Sequence, residues 1–132
     1  MSGIEARTLL PGEVTTPATA RRFVRAALES VEAGPGLIET AELLTTELIT
    51  NAIVHVGCKT ELLIRATSAA VRVEVSDPDD HLPSLTPPDP DALRGRGLLI
   101  VNGLASDWGV ERTASGKTVW FEVIRSSHRP TD

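Results

Sequence analysis

Glu47, Asn51 and His55 stand at successive four-residue steps in the run Glu42-Leu43-Leu44-Thr45-Thr46-Glu47-Leu48-Ile49-Thr50-Asn51-Ala52-Ile53-Val54-His55. On an α-helix this spacing puts all three side chains on nearly one face, about 6 Å apart along the axis per step. A carboxylate beside a carboxamide offers a proton acceptor and a hard-oxygen cation ligand in one stripe. That pairing suits magnesium–nucleotide chemistry, in which Mg²⁺ takes a few protein oxygens and completes its shell with phosphate and water. Taken alone, the stripe reads as a solvated helix face, although an asparagine in mid-helix is mildly unfavourable and tilts the balance toward purpose. His55 is balanced between a helix C-terminal interaction and a role in the site.

Three later positions carry chemistry of their own. Asp77 closes the alternating run Val71, Val73, Val75 and precedes Pro78, so a turn aspartate is its plain reading. Gly95-Arg96-Gly97 opens the apolar run Leu98-Leu99-Ile100-Val101. It is not a dinucleotide fingerprint, because Ile100 stands where the third glycine belongs, and two turn glycines explain it as well. Gly116-Lys117-Thr118 invites comparison with a phosphate-binding P-loop. That comparison fails, since Glu111 occupies the earlier glycine position and Thr118 leads into a strand rather than a helix. Lys117 then reads as a hairpin-turn lysine. Cys58 has no partner at metal-ligand spacing.

The elements that must position these residues follow from the spacing of apolar and turn residues. A short strand over Ala6 to Leu10 ends at Pro11-Gly12, and Thr16-Pro17 marks a helix start with a hydroxyl cap. That helix runs to Ala33, with Phe23, Val24, Ala27, Leu28 and Val31 on its apolar face, and Gly34-Pro35-Gly36 stops it. A second helix spans 37–56, with Leu44, Leu48 and Ala52 as its apolar ridge and Gly57 as its end. Strands are expected at 60–66 and 70–76, the second half-buried because Val71, Val73 and Val75 alternate with Arg72, Glu74 and Ser76. Prolines and aspartates dominate 78–94, which cannot sustain a ladder or a long helix. A loop of this length in a compact domain is usually functional or disordered. A short helix follows Gly97, two strands cover 107–112 and 118–124, and 126–132 is a disordered tail. Helices, strand pair, loop, helix and strand pair add up to an α+β two-layer sandwich with a largely antiparallel, mixed sheet covered on one face by helices.

Bulk properties set limits on what such a domain does. A chain of 132 residues is one ordinary domain with a core that needs no disulfide or metal staple. A net charge of −5 argues against broad electrostatic capture of nucleic acid or an anionic membrane. With no Tyr, two Phe and two Trp there is no stacking platform for single strands. One cysteine excludes an internal disulfide and fits a reducing cytoplasm. The N-terminus lacks the apolar core of a signal peptide, and apolar runs fall short of the roughly 20 residues a bilayer span needs. The expectation is a cytoplasmic acidic domain, 1–125, without direct nucleic-acid or membrane contact.

Four features keep a fixed order along the chain: the Glu47/Asn51 helix, Asp77 closing a strand, the Gly95-Arg96-Gly97 turn, and Thr118 on a late strand. This order resembles the ATP-binding (Bergerat-type) domain of the histidine-kinase-like ATPase (GHKL) superfamily. The phrases Thr46-Glu47-Leu48-Ile49-Thr50-Asn51-Ala52, Gly95-Arg96-Gly97-Leu98 and Gly116-Lys117-Thr118-Val119-Trp120-Phe121-Glu122 are similar to its stand-alone branch, the anti-sigma regulatory factors with serine kinase activity found in actinobacteria. The resemblance covers roughly residues 8 to 125. One departure is that Asp77 is followed by Pro78-Asp79-Asp80, without the glycine that in much of the superfamily makes room for the purine.

The resemblance implies a role for each matching position. Asn51 would ligate the Mg²⁺ that bridges the phosphates of ATP, and Glu47 would act as general base on an acceptor serine. Asp77 would accept a hydrogen bond from the adenine amino group, with Thr118 supporting the same edge through its hydroxyl and a water. Gly95 and Gly97 would admit the phosphates to the backbone, the helix starting near Leu98 would present free N–H groups, and Arg94 and Arg96 would contact phosphate from the lid hinge. Residues 78–94 would form the lid. The implied function is an ATP-binding serine/threonine kinase that phosphorylates an anti-sigma antagonist and controls transcription by partner switching with a sigma factor, with a homodimer among its assemblies. No phosphoacceptor-histidine hairpin precedes the domain, so a sensor kinase is not indicated. The alternatives are a non-catalytic partner-binding module of the same fold, its nucleotide structural or absent, and a slow ATPase with no protein acceptor.

Overall fold

The computed structural model describes residues 3–56, 59–78, 101 and 103–125, with the side chains of 53–56 outside that description. The elements are β1 (Ile4–Leu10), α1 (Thr16–Ser30), α2 (Pro35–Val56), β2 (Thr60–Ala66), β3 (Ala70–Asp77), β4 (Asp107–Thr113) and β5 (Gly116–Ile124). They form one sheet in the order β1-β2-β3-β5-β4, and each described neighbour pair is antiparallel. The α+β arrangement expected from the order of elements is present, and no parallel pair occurs among the described strands.

Local chemistry sets the element boundaries. Thr16 lies at the start of α1 next to a proline at its first turn, but its hydroxyl does not cap the helix. It donates to the Pro11 carbonyl (2.5 Å) and accepts from the Glu13 N–H (3.3 Å), pinning the β1–α1 connection. Helix α1 stops at Ser30, short of the expected Ala33, because Glu32 takes a left-handed conformation (φ 57°). The Ala33 N–H then folds back onto the Leu28 carbonyl (3.0 Å). Helix α2 starts two residues earlier than expected, at Pro35, since a proline at the first helical position forfeits no hydrogen bond.

The period-two pattern of β3 separates two faces. Val71, Val73 and Val75 are buried, and the register aligns them with Val123, Phe121 and Val119 on β5 and with Ala66, Ile64 and Leu62 on β2. Both helices pack on this face, where Ala20, Val24 and Leu28 of α1 meet Leu44, Leu48, Ile49 and Ala52 of α2. Two bonds from the Arg25 guanidinium to the Glu42 carboxylate (2.7 and 2.9 Å) tie the helices at their rim. Val101 is also fully buried in this core, and Ala105 N–H bonds to its carbonyl (2.9 Å), the start of a helical turn.

The opposite face is polar. Arg72 lies 4.0 Å over the Trp120 ring and bonds Glu74 (2.8 Å) and Glu122 (2.9 Å), while Arg65 bonds Glu5 (2.9 Å). Burial of the Arg72 guanidinium works against its charge, and its two carboxylate partners more than offset that, holding its pKa above the ordinary value. Charges laid along a sheet face in this way discourage unwanted stacking.

Phe121 is the largest fully buried side chain. Phe121→Ala is expected to cost about 3–5 kcal/mol in chemical denaturation. Thr45 is fully buried on α2, and its hydroxyl has no partner among the described residues. The near-isosteric Thr45→Val should therefore stabilise the fold by about 1–3 kcal/mol, read as a raised denaturation midpoint.

Candidate functional site

The C-terminal half of α2 is held against the sheet by Leu44, Leu48, Ile49 and Ala52, which leaves Glu47 and Asn51 half-buried along its flank. Removal from water raises the Glu47 carboxyl above its ordinary pKa of 4.5. Only residues 57–59 separate Val56 from Thr60, so the Asn51 end of α2 lies at the end of the sheet where β2 begins. There Glu61 pairs with Ser76, one residue before Asp77. Chain connectivity thus puts the last turns of α2, which carry Asn51, at the end of the sheet where Asp77 lies. His55 falls within α2, but its side chain lies outside the described residues.

At that end the apolar face of the sheet finishes in a polar row. Leu10 pairs with Thr60, Asp77 pairs with Lys117, and Lys117 pairs with Arg112. Thr60, Asp77 and Lys117 are all buried. The Lys117 ammonium donates to Asp77 Oδ1 at 3.0 Å, with side-chain exposures of only 7% and 1%. Lys117 is therefore no turn residue. The β4–β5 turn is confined to Ala114-Ser115, and the ladder already begins at the Thr113–Gly116 pair. Gly116 makes that start with φ +149°, where an added Cβ would run into the Asp77 carbonyl oxygen and Pro78.

Thr118 occupies the other face. Its hydroxyl shares a hydrogen bond with Ser76 Oγ (2.7 Å), opposite in register. Side chains one residue apart on a strand leave opposite faces, so the Thr118 side chain leaves the face opposite to that of Lys117 and Asp77. Glu61, Ser76, Asp77, Pro78, Ser115 and Thr118 are among the residues that line an open cleft of about 480 Å³ at this end of the sheet. Arg94, Gly95, Arg96, Gly97 and Leu98 lie outside the described residues, as does the expected lid beyond Pro78.

Residues 10–123 match the histidine kinase-like ATPase domain family. The chain belongs to that family. It is also 37% identical over 82 residues to the uncharacterized protein SCO4941 of Streptomyces coelicolor, an alignment covering 58% of this chain and 78% of that protein. In fold it is similar to the solved structure of the RsbU and RsbW domains of Rv1364c from Mycobacterium tuberculosis, at TM-score 0.67 and 20% identity. That likeness covers 91% of this chain and 32% of the other, so the chain spans about a third of the length of that relative. Among the described residues, no helix is long and apolar enough to cross a membrane.

Membership in an ATPase family implies an ATP site, and the described residues fit one. A carboxylate accepts up to about four hydrogen bonds, so the bond from Lys117 does not by itself bar a purine from Asp77. Asp77 is desolvated, at the edge of an apolar row. Asn51 lies on the last turns of α2, toward the same end of the sheet. The residue that sequence reasoning missed is Lys117, although the alternation Phe121, Val119, Lys117 on β5 matches Val73, Val75, Asp77 on β3 and already assigned both to one face.

Two measurements check these assignments. Because folding raises the Glu47 pKa, its carboxylate penalises the fold above the unfolded value and not below it. Glu47→Gln should accordingly raise the melting temperature at neutral pH, and the gain should fade as pH falls through the raised Glu47 pKa and be gone below the ordinary 4.5. Lys117→Met, which removes one side of a buried ion pair, is expected to cost about 3–5 kcal/mol. Adding Asp77→Leu should restore most of that loss in a double-mutant denaturation cycle.

Proposed function

We propose that this protein binds Mg-ATP and transfers the γ-phosphoryl group to a serine of an antagonist protein, acting as an anti-sigma-type regulatory kinase in the cytoplasm. The observation that carries the proposal is Glu47 and Asn51 on one half-buried flank of α2, with the Glu47 carboxyl raised by burial and the last turns of the helix at the end of the sheet where Asp77 is buried. Family membership over 10–123 and the resemblance of the Glu47–Asn51 phrase to the serine-kinase branch support it.

Each residue has a defined task in this reading. Bound Mg-ATP supplies an electrophilic γ-phosphorus and an ADP leaving group. Asn51 offers its carboxamide oxygen as one of the few protein ligands Mg²⁺ requires. Glu47 accepts the hydroxyl proton of the acceptor serine, and a carboxyl with a raised pKa is a better base for that transfer than an exposed one. Phosphoryl transfer depends mostly on positioning and charge neutralisation, so a single base and metal ligand on a rigid helix suffice. Asp77 holds the adenine amino group. Arg94, Gly95, Arg96, Gly97 and Leu98 would receive the phosphates, and 78–94 would close over them. Thr118, whose hydroxyl bonds Ser76 Oγ, would support the same edge through a water. Partner switching between a sigma factor and the antagonist, with the kinase as a homodimer, completes the reading.

The test uses radiolabelled Mg-ATP and an antagonist carrying the acceptor serine. Glu47→Gln should bind nucleotide as the native chain does while transfer falls by about 10²–10⁴-fold. Unchanged transfer would remove Glu47 as the base. For binding itself, ATP at about 100 times its dissociation constant should stabilise the native chain by roughly 2.7 kcal/mol, and Asn51→Ala should lose the Mg²⁺-dependent part of that gain. A full Mg²⁺-dependent shift in Asn51→Ala would remove Asn51 as the ligand.

A further inference from the structure

We propose that Lys117 is a specificity-determining residue of the nucleotide site. With Asp77 it forms a donor–acceptor pair that reads the Watson–Crick edge of adenine. Asp77 accepts from the 6-amino group while Lys117 donates to ring nitrogen N1. The inference rests on the nucleotide-binding reading above and adds a residue which that reading does not use.

The pair is built for this task by the fold. Asp77 and Lys117 are direct partners in the β3–β5 ladder, so their side chains leave the same face from adjacent strands. Lys117 Nζ lies 3.0 Å from Asp77 Oδ1, with the two side chains 7% and 1% exposed. Gly116, in a backbone conformation that side chains rarely adopt, leads directly into Lys117 against the Asp77 carbonyl. Both ends of the lysine are therefore located: its backbone by the ladder and its ammonium by the carboxylate. The pair closes an apolar row containing Leu62, Val75 and Val119 and sits beside buried Thr60, so the base edge would meet a desolvated surface with few polar atoms.

Adenine presents a donor at position 6 next to an acceptor at N1, the complement of an acceptor beside a donor. An ammonium carries three donors and a carboxylate about four acceptor sites, so the ion pair persists while each group also takes one base atom. Guanine in the same pose sets its 6-carbonyl against the carboxylate and its N1–H against the ammonium. Both contacts are then mismatched, and buried polar groups left without partners are what a binding site rejects most strongly. Lysine suits the role because its ammonium is a compact donor that can serve two acceptors at once.

The experiment measures equilibrium binding of Mg-ATP, Mg-GTP and Mg-1-deaza-ATP, in which N1 is replaced by C–H, to the native chain, Lys117→Met and Lys117→Gln. The native chain is expected to bind 1-deaza-ATP at least about tenfold more weakly than ATP, and Lys117→Met to bind the two within about twofold. Lys117→Gln, which keeps a neutral donor, should fall between them and carries the test if Lys117→Met does not fold. GTP should bind the native chain more weakly than ATP. Equal binding of ATP and 1-deaza-ATP by the native chain, or an undiminished preference in both variants, would overturn the inference while leaving nucleotide binding intact. Tighter ATP binding by Lys117→Met than by the native chain would overturn it too, since the lysine would then occupy the place of the base. Absence of ATP binding to the native chain would bring down the nucleotide reading itself, and the inference with it.

Discussion

Burial of Val71, Val73 and Val75 beneath α1 and α2 is the constraint on which the rest of this molecule depends. A strand alternates its side chains, and neighbouring strands in register share faces, so burying three valines of β3 assigns a face to every residue of the sheet. Leu62 and Ile64 on β2 and Val119 and Phe121 on β5 go under the helices with them. Arg72, Glu74 and Trp120 are forced to the open side, where they pair with one another. A slip of one residue would exchange these two sets and bury the charges.

The same parity decides the chemistry at the end of the sheet. Asp77 is the next inward position after Val75 and Lys117 the next after Val119, so both leave the apolar rows and meet each other in a buried place. Two charges removed from water in this way carry a desolvation cost that their mutual attraction and hydrogen bonding must offset. A pair of this kind is weak evidence for stability. Thr118, one residue on, is sent to the other side to meet Ser76.

Much of this could be read from the residues in order. The two helices, the half-buried β3 and the α+β layering follow from apolar spacing and from proline and glycine punctuation, and they stand where expected to within a few residues. The shifts that occurred have local causes that spacing does not report. Thr16 bonds back to Pro11 and Glu13 instead of capping, Glu32 turns left-handed and shortens α1, and Pro35 lengthens α2. Lys117 was misplaced for a different reason. A glycine–lysine pair beside Ala-Ser looks like a turn, and only the pairing of Thr113 with Gly116 shows that the ladder has already begun.

By itself, the sequence determined which side chains are available for chemistry and their periodicity: Glu47 and Asn51 at helical spacing, Asp77 at the end of an alternating strand, and enough apolar residues to build one core. Those properties are local, set by bond geometry and side-chain type within a few residues. Only the tertiary structure decided which of them meet. The Asp77–Lys117 pair joins positions 40 residues apart, and the separation of Asp77 from Thr118 rests on the register of β3 against β5. The raised pKa of Glu47 comes from its desolvation as α2 packs into the fold. Register and burial depend on how the whole core closes, and no short window of residues contains them.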